Sequence, residues 1–336
     1  MKYKLNLGII QQGDIILVGT PDRLSQEIRN RINCDYSHAM LMWDESLLHA
    51  RKVIIPENPS RKLYDEGSKA CVLRLKDQPG RDLLIQNMLD YARTLVGTYY
   101  DFDAVFAIRR GEQPVYNPNR QTCSKFVAEC FDYVGADVVK DYESCTPVDL
   151  FASDSFDHIE DVLIEASVWD IEYAKSKDVT KLQYDAIVNT VEKLAQWYPQ
   201  ADIMSFEQLN QFVNNNPSEA NRISQLLADV GYYNLWEREQ EYCPYLYDAE
   251  QFKLFRRDDT VTAAIKMKKS SEKIVVEKEN LTEYFHECLS KYGENDYYNA
   301  MLQLQFKVIE SANKRIAVAN KILEENHVVK IRFPWL

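Results

Sequence analysis

The sequence predicts an α+β protein, with an N-terminal part rich in short strands and a C-terminal half that is helical. Short apolar runs bounded by turn residues fill the first 76 residues, as is typical of β-strands. Apolar residues then recur at helical spacing, and beyond a small polar stretch at residues 172–178 the pattern is almost wholly helical. Because 336 residues are enough for two domains, we expect one domain over residues 1–170 and an all-helical one over 171–336.

The strands are predicted from apolar runs that are separated by turn residues and polar stretches. These runs are Ile15–Val18 after the turn Gly13-Asp14, Ser37–Ala50, Lys52–Pro56 and Cys71–Leu75. The run Ser37–Ala50 is interrupted at Asp44-Glu45, so we interpret it as a β-hairpin. With a two-residue loop, His49 lies opposite Met40, which shares a face with His38 because side chains alternate along a strand.

This pairing would make His38 and His49 diagonal neighbours, roughly 7 Å apart at the backbone, so that one imidazole could orient the other. A three-residue loop would instead move His49 to the opposite face of the sheet. A hydrogen-bonded core histidine is the alternative interpretation of His38.

Two helices are predicted between the strands and the C-terminal half. The first runs from about Leu83 to Val96, and Gly97 ends it. The second begins at Cys123, and Gly135 follows it as the expected C-cap. The apolar stripe of the second helix lies three, four, seven, eight and eleven residues after Cys123, at Phe126, Val127, Cys130, Phe131 and Val134.

Cys123 is a candidate nucleophile because it lies in the first turn of this helix. A helix N-terminus carries partial positive charge and unpaired N–H groups, which favour the thiolate and lower a cysteine pKa below its free value of about 8.5. The alternative is a small buried hydrophobic residue, since seven cysteines are spread through the chain. The catalytic interpretation therefore needs a base, and His38 and His49 are the candidates among five histidines.

Several short motifs occur in a characteristic order along the first half of the chain. They are Gly13-Asp14-Ile15, Ser37-His38, His49-Ala50, Tyr100-Asp101, Cys123-Ser124 and Pro147-Val148-Asp149-Leu150. In this order, over roughly residues 10–165, they resemble the circularly permuted papain-like cysteine peptidases of the YiiX/YebB-like type, relatives of bacterial cell-wall endopeptidases and of lecithin:retinol acyltransferase. The resemblance implies a permuted papain-like domain in which a small antiparallel sheet packs on helices.

The resemblance also implies catalytic roles. Cys123 would be the nucleophile, His38 the general base and His49 the group that fixes the imidazole tautomer, with the Cys123 N–H stabilising the oxyanion. Peptidase-like members are expected to carry an acid in the third position, and a histidine there is closer to the acyltransferase branch. The residues expected to line the substrate pocket or oxyanion site are Tyr100, Thr122 and Ser37, although Tyr100 could also serve only in packing.

Composition limits the classes of partner and compartment. The net charge of −12 makes broad attraction to nucleic acid or to an anionic membrane unexpected, and it suits a neutral or basic substrate. No run of about 18 apolar residues occurs, so we expect no integral membrane segment. No secretion signal is recognised at the N terminus, and seven free cysteines fit a reducing compartment, so we expect a cytoplasmic location.

Zinc binding is the rival explanation for Cys123, His38 and His49, because Cys and His are zinc ligands. The sequence contains no Cys-x-x-Cys, and His286-Glu287-Cys288 lacks the second histidine of a zinc-protease helix. We therefore expect no metal and no cofactor. His158 and His327 lie in polar contexts and are predicted to be surface residues.

The C-terminal half shows helical stripes but no defensible catalytic constellation. A long helix is predicted from about Asp296 to Glu325, and the lysine-rich stretch Lys266–Lys273 is predicted to be an exposed connection that could contact an acidic partner. A protein partner is therefore open for this domain. Its aromatic residues could instead form a helical core or a wall of the cleft.

Together these features predict a cysteine-dependent hydrolase that cleaves an amide bond, peptide or isopeptide-like, through an acyl-enzyme. One alternative is an acyltransferase or thioesterase acting on lipid or thioester substrates, because the same thiolate and oxyanion site would serve. A second alternative is a catalytically inert papain-like binding module, since a fold does not determine function.

Overall fold

The computed structural model of the protein describes residues 1–326 apart from residues 45, 113, 114, 116, 118, 202, 204, 257 and 258. His327 and Glu45 of the predicted hairpin loop therefore lie outside the described residues. The chain forms two compact units, one comprising Met1–Ser176 with Val191–Leu209 and the other Lys177–Thr190 with the chain from Asn210 onward.

The strands of the described part of the chain form two antiparallel sheets in the first unit. Their bounds are β1 (Lys2–Leu5), β2 (Ile15–Gly19), β3 (His38–Trp43), β4 (Ser46–Ala50), β5 (Ile54–Glu57), β6 (Tyr64–Asp65), β7 (Lys69–Leu75), β8 (Phe156–Ile159) and β9 (Leu163–Glu165). The main sheet has the order β5-β4-β3-β2-β7-β8, and the smaller one has the order β6-β1-β9.

Two apolar cores lie on opposite faces of the main sheet, because successive side chains of a strand point to opposite sides. One face, which includes Ile15, Ala39 and Leu41, packs against apolar residues of helices α2 and α4. The other face, which includes Ile16 and Met40, packs against the small sheet and its surroundings. The helices up to residue 176 are α1 (Arg23–Ile32), α2 (Arg81–Thr94), α3 (Phe102–Arg110), α4 (Cys123–Tyr133), α5 (Pro147–Phe151) and α6 (Val168–Lys175).

The chain beyond residue 176 is helical wherever the structure describes regular elements. The helices are α7 (Val179–Trp197), α8 (Phe206–Asn215), α9 (Ala220–Asp229), α10 (Leu235–Tyr242), α11 (Ala249–Arg256), α12 (Thr260–Tyr292) and α13 (Asp296–Glu325). Helices α12 and α13 pack along each other, and with α11 they enclose an apolar core around Phe252 and Ile322. The predicted α+β class with a helical C-terminal region is confirmed.

The prediction of an exposed connection at Lys266–Lys273 is wrong, since these residues lie inside the 33-residue helix α12. Lysine and methionine are good helix formers, so the stretch favours a helix wherever a buried stripe supports one. That stripe is supplied by Ala263, Ala264, Met267 and Ser271, which are buried. A high content of charged residues therefore marks only the solvent face of this helix.

The hairpin that carries the two histidines has the register expected for a two-residue loop. Trp43 pairs with Ser46, and the pairing continues to Leu41 opposite Leu48. Asp44 has a positive φ of 48°, as the residues of a tight hairpin turn require. The strands β1, β6, β8 and β9 were not predicted, because their pairing partners lie far away in the chain and their runs are short.

Asp14, in the turn before β2, is expected to be important for stability. Its carboxylate is 1% exposed, accepts from Arg74 Nε and Nη2 at 2.9 and 2.7 Å, and also accepts from the Gln11 N–H. Replacing Asp14 with alanine leaves Arg74 without its carboxylate partner, although Arg74 Nη2 still donates to the Ile9 carbonyl, so we expect a loss of about 3 kcal/mol in the free energy of unfolding.

Urea denaturation at fixed pH measures this loss directly. Asp35→Ala is the matched control, because Asp35 pairs with Lys69 at the surface, where both side chains are more than half exposed, and its removal should cost less than about 1 kcal/mol. Equal losses in the two variants would contradict the structural role of Asp14.

Candidate active site

Cys123 is the first residue of helix α4, which packs on strand β3. Thr122 is the N-cap of this helix, and its hydroxyl accepts from the Lys125 N–H at 3.3 Å. The Thr122 side chain therefore caps the helix. The thiol-bearing residue itself is only 4% exposed.

The chain immediately before Cys123 is held by two buried side chains that sequence reasoning missed. Lys125, 2% exposed, donates from Nζ to the carbonyls of Asn117 and Arg120 at 3.2 and 2.9 Å. Asp101 accepts from the N–H groups of Asn117 and Ala104, at 3.0 and 3.1 Å. The sequence offered no signal for the role of Lys125, because lysine is rarely buried without partners and its burial is visible only in the structure.

His38 and His49 are brought together on the hairpin. His38 begins β3, His49 lies near the end of β4, and His38 Nε2 is 2.9 Å from His49 Nδ1. Their ring centroids are 5.2 Å apart and the rings are nearly perpendicular. His49 is 1% exposed, whereas residue His38 is partly exposed.

Glu57 completes this arrangement and was not singled out from the sequence. Its Oε2 lies 3.1 Å from His49 Nε2, in a bent contact that falls short of ideal hydrogen-bond geometry. Lys62 Nζ donates to the same oxygen at 2.8 Å. The pairing of β4 with β5 would have indicated Glu57. His49 pairs with Ile55, and Glu57, two positions further along β5, faces the same side of the sheet as Ile55.

These contacts determine one consistent placement of protons. A carboxylate can only accept, so His49 presents Nε2–H to Glu57 and its Nδ1 must accept from His38. His38 therefore carries its proton on Nε2, and its Nδ1 has the free lone pair. Glu57 and His49 thus orient His38 as a base.

Burial and neighbouring charges keep His38 and His49 neutral. Burial among protein atoms and the neighbouring His49 lower the pKa of His38 well below its usual 6.5. Burial also lowers the pKa of His49, against the opposing contact with Glu57. Burial alone would raise the pKa of Glu57, but the contacts with His49 and Lys62 lower it well below its usual range, so Glu57 is ionised.

Two opposing influences act on the Cys123 side chain. Nearby hydrogen-bond donors stabilise its thiolate form, whereas burial favours the protonated thiol. Burial raises its pKa above the ordinary 9.0, while the Ala39 N–H, the Tyr100 hydroxyl and the amides of Ser124 and Cys123 act in the opposite direction. The Ala39 N–H is available because the pairing of β3 with β4 ends at Leu41. The lowered pKa expected from a helix N-terminus is therefore outweighed by burial.

Tyr100 is the one predicted pocket residue that interacts with the thiol. Burial raises the pKa of its phenol well above the ordinary value, as does its contact with Cys123, so the hydroxyl stays protonated. The hydroxyl also accepts from the backbone N–H of Cys123. Two hydrogen-bond donors, one from each residue, thus lie beside the sulfur.

Ser37 precedes His38 but its side chain is turned to another partner. Its hydroxyl lies 2.6 Å from the hydroxyl of Ser25 on α1. Ser37 therefore joins the start of β3 to α1. No hydrogen bond links Cys123 to His38 among the residues that the structure describes.

The pKa directions predict how Cys123 labelling depends on pH. Because the thiol pKa is raised, the thiolate fraction at any given pH is reduced, and alkylation should accelerate through pH 9 without a plateau between about pH 5 and 7. Tyr100→Phe removes a group that lowers this pKa, so its rate profile should shift to higher pH. Iodoacetamide labelling mapped by mass spectrometry measures both curves, with glutathione as the unperturbed thiol. A low-pH plateau in the wild type would indicate a resting thiolate–imidazolium pair instead.

Comparison with known proteins identifies the family. The profile of the permuted papain-like amidase enzymes of the YaeF/YiiX type, family C92, matches residues 9–184. The chain belongs to this family. The matched range contains all the candidate site residues, which are Cys123, His38, His49, Tyr100, Thr122 and Ser37.

A solved structure is also similar to part of the chain. It is the metalloprotein YiiX from Escherichia coli O157:H7, with 17% sequence identity and a TM-score of 0.37, and the alignment covers 44% of this chain and 96% of YiiX. No curated protein matches the chain.

Membership of the permuted papain-like amidases supports an enzymatic role and a hydrolase of the amidase type. Among the described residues, no group of three or more His, Cys, Asp or Glu side chains is arranged to hold a metal ion. None of the described helices combines the length and the apolar character needed to cross a bilayer.

Proposed function

We propose that this permuted papain-like amidase cleaves an amide bond, in a peptide or isopeptide-like substrate, through an acyl-enzyme on Cys123. The observation that supports the proposal most strongly is the pair of contacts that joins Glu57 to His49 and His49 to His38. These contacts place the protons so that Nδ1 of His38 is left as a base. Ala39, the next residue after His38, contacts the Cys123 thiol through its N–H. We also propose that the catalytic domain covers residues 1–170 and that a helical domain follows over 171–336.

The reaction begins with two neutral groups. His38 Nδ1 takes the thiol proton as Cys123 attacks the carbonyl carbon, so a C–S bond forms and the carbonyl oxygen becomes negative. The Cys123 N–H and the Tyr100 hydroxyl stabilise this oxygen, and the Tyr100 proton turns from sulfur to oxygen as the charge develops. His49 stabilises the positive charge on His38 because Glu57 supplies a negative charge behind it.

Collapse of this intermediate breaks the C–N bond. His38 gives its proton to the leaving nitrogen, and the thioester on Cys123 remains. A water molecule then gives a proton to His38 and attacks the thioester, which releases the acid and returns the proton to the thiol. The missing hydrogen bond between Cys123 and His38 in the resting structure is compatible with this scheme, since catalytic hydrogen bonds often tighten only when substrate is bound.

Trapping of the acyl-enzyme tests the proposal. The protein is mixed with p-nitrophenyl acetate, quenched in acid and digested, and the acetylated residue is located by mass spectrometry. We expect acetyl on Cys123 that disappears on a longer incubation before quenching. Acetylation confined to other side chains, with Cys123 unmodified, would favour an inert binding module. Stable acetyl on Cys123 that is lost only when an amine is added would favour acyl transfer.

A further inference from the structure

The carboxylate oxygen of Glu57 that faces His49 is shared with Lys62. Glu57 Oε2 lies 3.1 Å from His49 Nε2 and accepts from Lys62 Nζ at 2.8 Å. His49 Nε2 is buried and, within the described part of the chain, has no hydrogen bond of good geometry. A buried donor in this state is costly, so its cause matters for the site. The lysine and the histidine thus compete for one oxygen, and the lysine has the shorter contact.

The local backbone holds Lys62 beside this carboxylate. One turn of 3₁₀ helix, Pro59–Arg61, separates it from strand β5, and Asn58 caps this turn by accepting from the Ser60 N–H at 2.9 Å. The Lys62 N–H closes the turn at 3.2 Å, and strand β6 begins two residues later. The Lys62 side chain is only 21% exposed. Its ammonium group is therefore held in a partly desolvated position, where a charge acts more strongly than at the open surface.

Lys62 is the main positive charge near the two histidines. The charged and titratable groups around His38 are His49, Glu57, Lys62 and Arg51. Arg51 Nη1 approaches the other Glu57 oxygen, Oε1, at 3.4 Å, but its side chain is 54% exposed, so water screens its charge. The Tyr64 hydroxyl is neutral, because burial and the charge of Glu57 raise its pKa. Of these groups, Lys62 therefore offsets the Glu57 charge most directly.

We infer that Lys62 is a positioning residue, which holds the Glu57 carboxylate partly away from His49 and so weakens the base. The role as a restraint on catalysis rests on the proposed function. When His38 takes the thiol proton, its positive charge is stabilised through His49 by the carboxylate behind it. The ammonium group of Lys62 neutralises part of that carboxylate and repels the new charge. Lys62 thereby keeps the resting site as a neutral imidazole and a protonated Cys123.

Titration of His38 in variants of Lys62 tests the inference without requiring activity. Lys62→Met removes the charge and keeps an unbranched side chain, whereas Lys62→Arg keeps the charge. The NMR signal of the His38 Cε1–H is followed against pH and is assigned by its absence from His38→Gln. We expect its midpoint to lie at higher pH in Lys62→Met than in the wild type, because removal of a positive charge favours the imidazolium. Lys62→Arg should keep the wild-type midpoint. Lys69→Met is the matched control, since Lys69 pairs with Asp35 at the surface, and its midpoint should not move.

Hydrolysis of p-nitrophenyl acetate gives a second readout. A stronger base takes the thiol proton more readily, so the rate of Lys62→Met should rise severalfold at neutral pH. Its decline in acid should begin at a higher pH than in the wild type, because His38 becomes protonated earlier. A raised midpoint with a slower rate at neutral pH would show that Lys62 supports the base, and would overturn the inference.

The two readouts separate this inference from the proposed function. A His38 that stays neutral over the same pH range in the wild type and in Lys62→Met would overturn the inference even if Cys123 is acetylated. A midpoint that rises equally in Lys62→Arg would also overturn it, since the charge is then not the cause. A raised midpoint in Lys62→Met alone, in a protein whose Cys123 is never acetylated, would retain the electrostatic effect of Lys62 and count against the proposed function.

Discussion

Cys123→Ser is expected to lower the turnover of p-nitrophenyl acetate by at least about 10³-fold, the scale seen when a nucleophile is removed from a hydrolase. The exchange replaces one sulfur by oxygen at the start of α4 and keeps a hydroxyl in its place. A hydroxyl is a much weaker acid than a thiol, and the neutral His38 of this site is too weak a base to ionise it. Nucleophilic attack therefore stops although the fold is retained.

Release of p-nitrophenol under saturating ester measures this effect, with circular dichroism to verify folding. Cys34→Ser provides the control, since Cys34 is a partly exposed cysteine that is not part of the proposed site. Turnover that survives in Cys123→Ser but falls in Cys34→Ser would show that the wrong thiol has been assigned.

His38→Gln is expected to lower the same rate by about 10²- to 10⁴-fold, the usual contribution of a general base. Glutamine can keep a hydrogen bond to His49 but cannot take the thiol proton. His49→Gln and Glu57→Gln should have smaller effects in that order, because both residues act through the tautomer and charge of His38. His158→Gln, a change at an exposed histidine, is the control.

The pH dependence of these variants shows whether Glu57 and His49 act electrostatically on His38, as a relay, or only pack against it. With Glu57 neutralised, the negative charge behind His49 is lost and the imidazolium of His38 is less stable, so the pKa of His38 should fall further. Activity of Glu57→Gln should then decline at every pH where His38 must accept a proton. A large effect of His38→Gln together with wild-type profiles for His49→Gln and Glu57→Gln would refute the relay.

Local patterns were sufficient for the elements that carry the candidate site. The 3.6-residue stripe after Cys123 predicted helix α4, and the observed helix spans Cys123–Tyr133. The alternation around Asp44-Glu45 predicted the hairpin, whose register joins Trp43 to Ser46. Both signals depend on residues close in the chain, so no tertiary information was needed.

Partners that are distant in the chain were missed. Glu57 joins the two histidines only because β5 pairs with β4, and Asp101 and Lys125 hold the segment before Cys123 through backbone groups. The roles of Ser37 and Thr122 were likewise decided by neighbours, since Ser25 and the Lys125 N–H take up their hydroxyls. Sequence spacing cannot specify which of several nearby polar groups a hydroxyl meets.

The sequence by itself determined the α+β class, the order of the motifs, the helix that presents Cys123 and the strand hairpin that presents His38 and His49. The tertiary structure decided the protonation of these groups. Desolvation depends on all the atoms packed around a side chain, and packing α4 on β3 raises the pKa of the Cys123 thiol although its helix N-terminus favours the thiolate. The tertiary structure likewise decided the burial of helix α3, in which Ala104 and Ala107 are buried while Phe102 and Phe106 stay partly exposed, because burial depends on the elements packed around a helix.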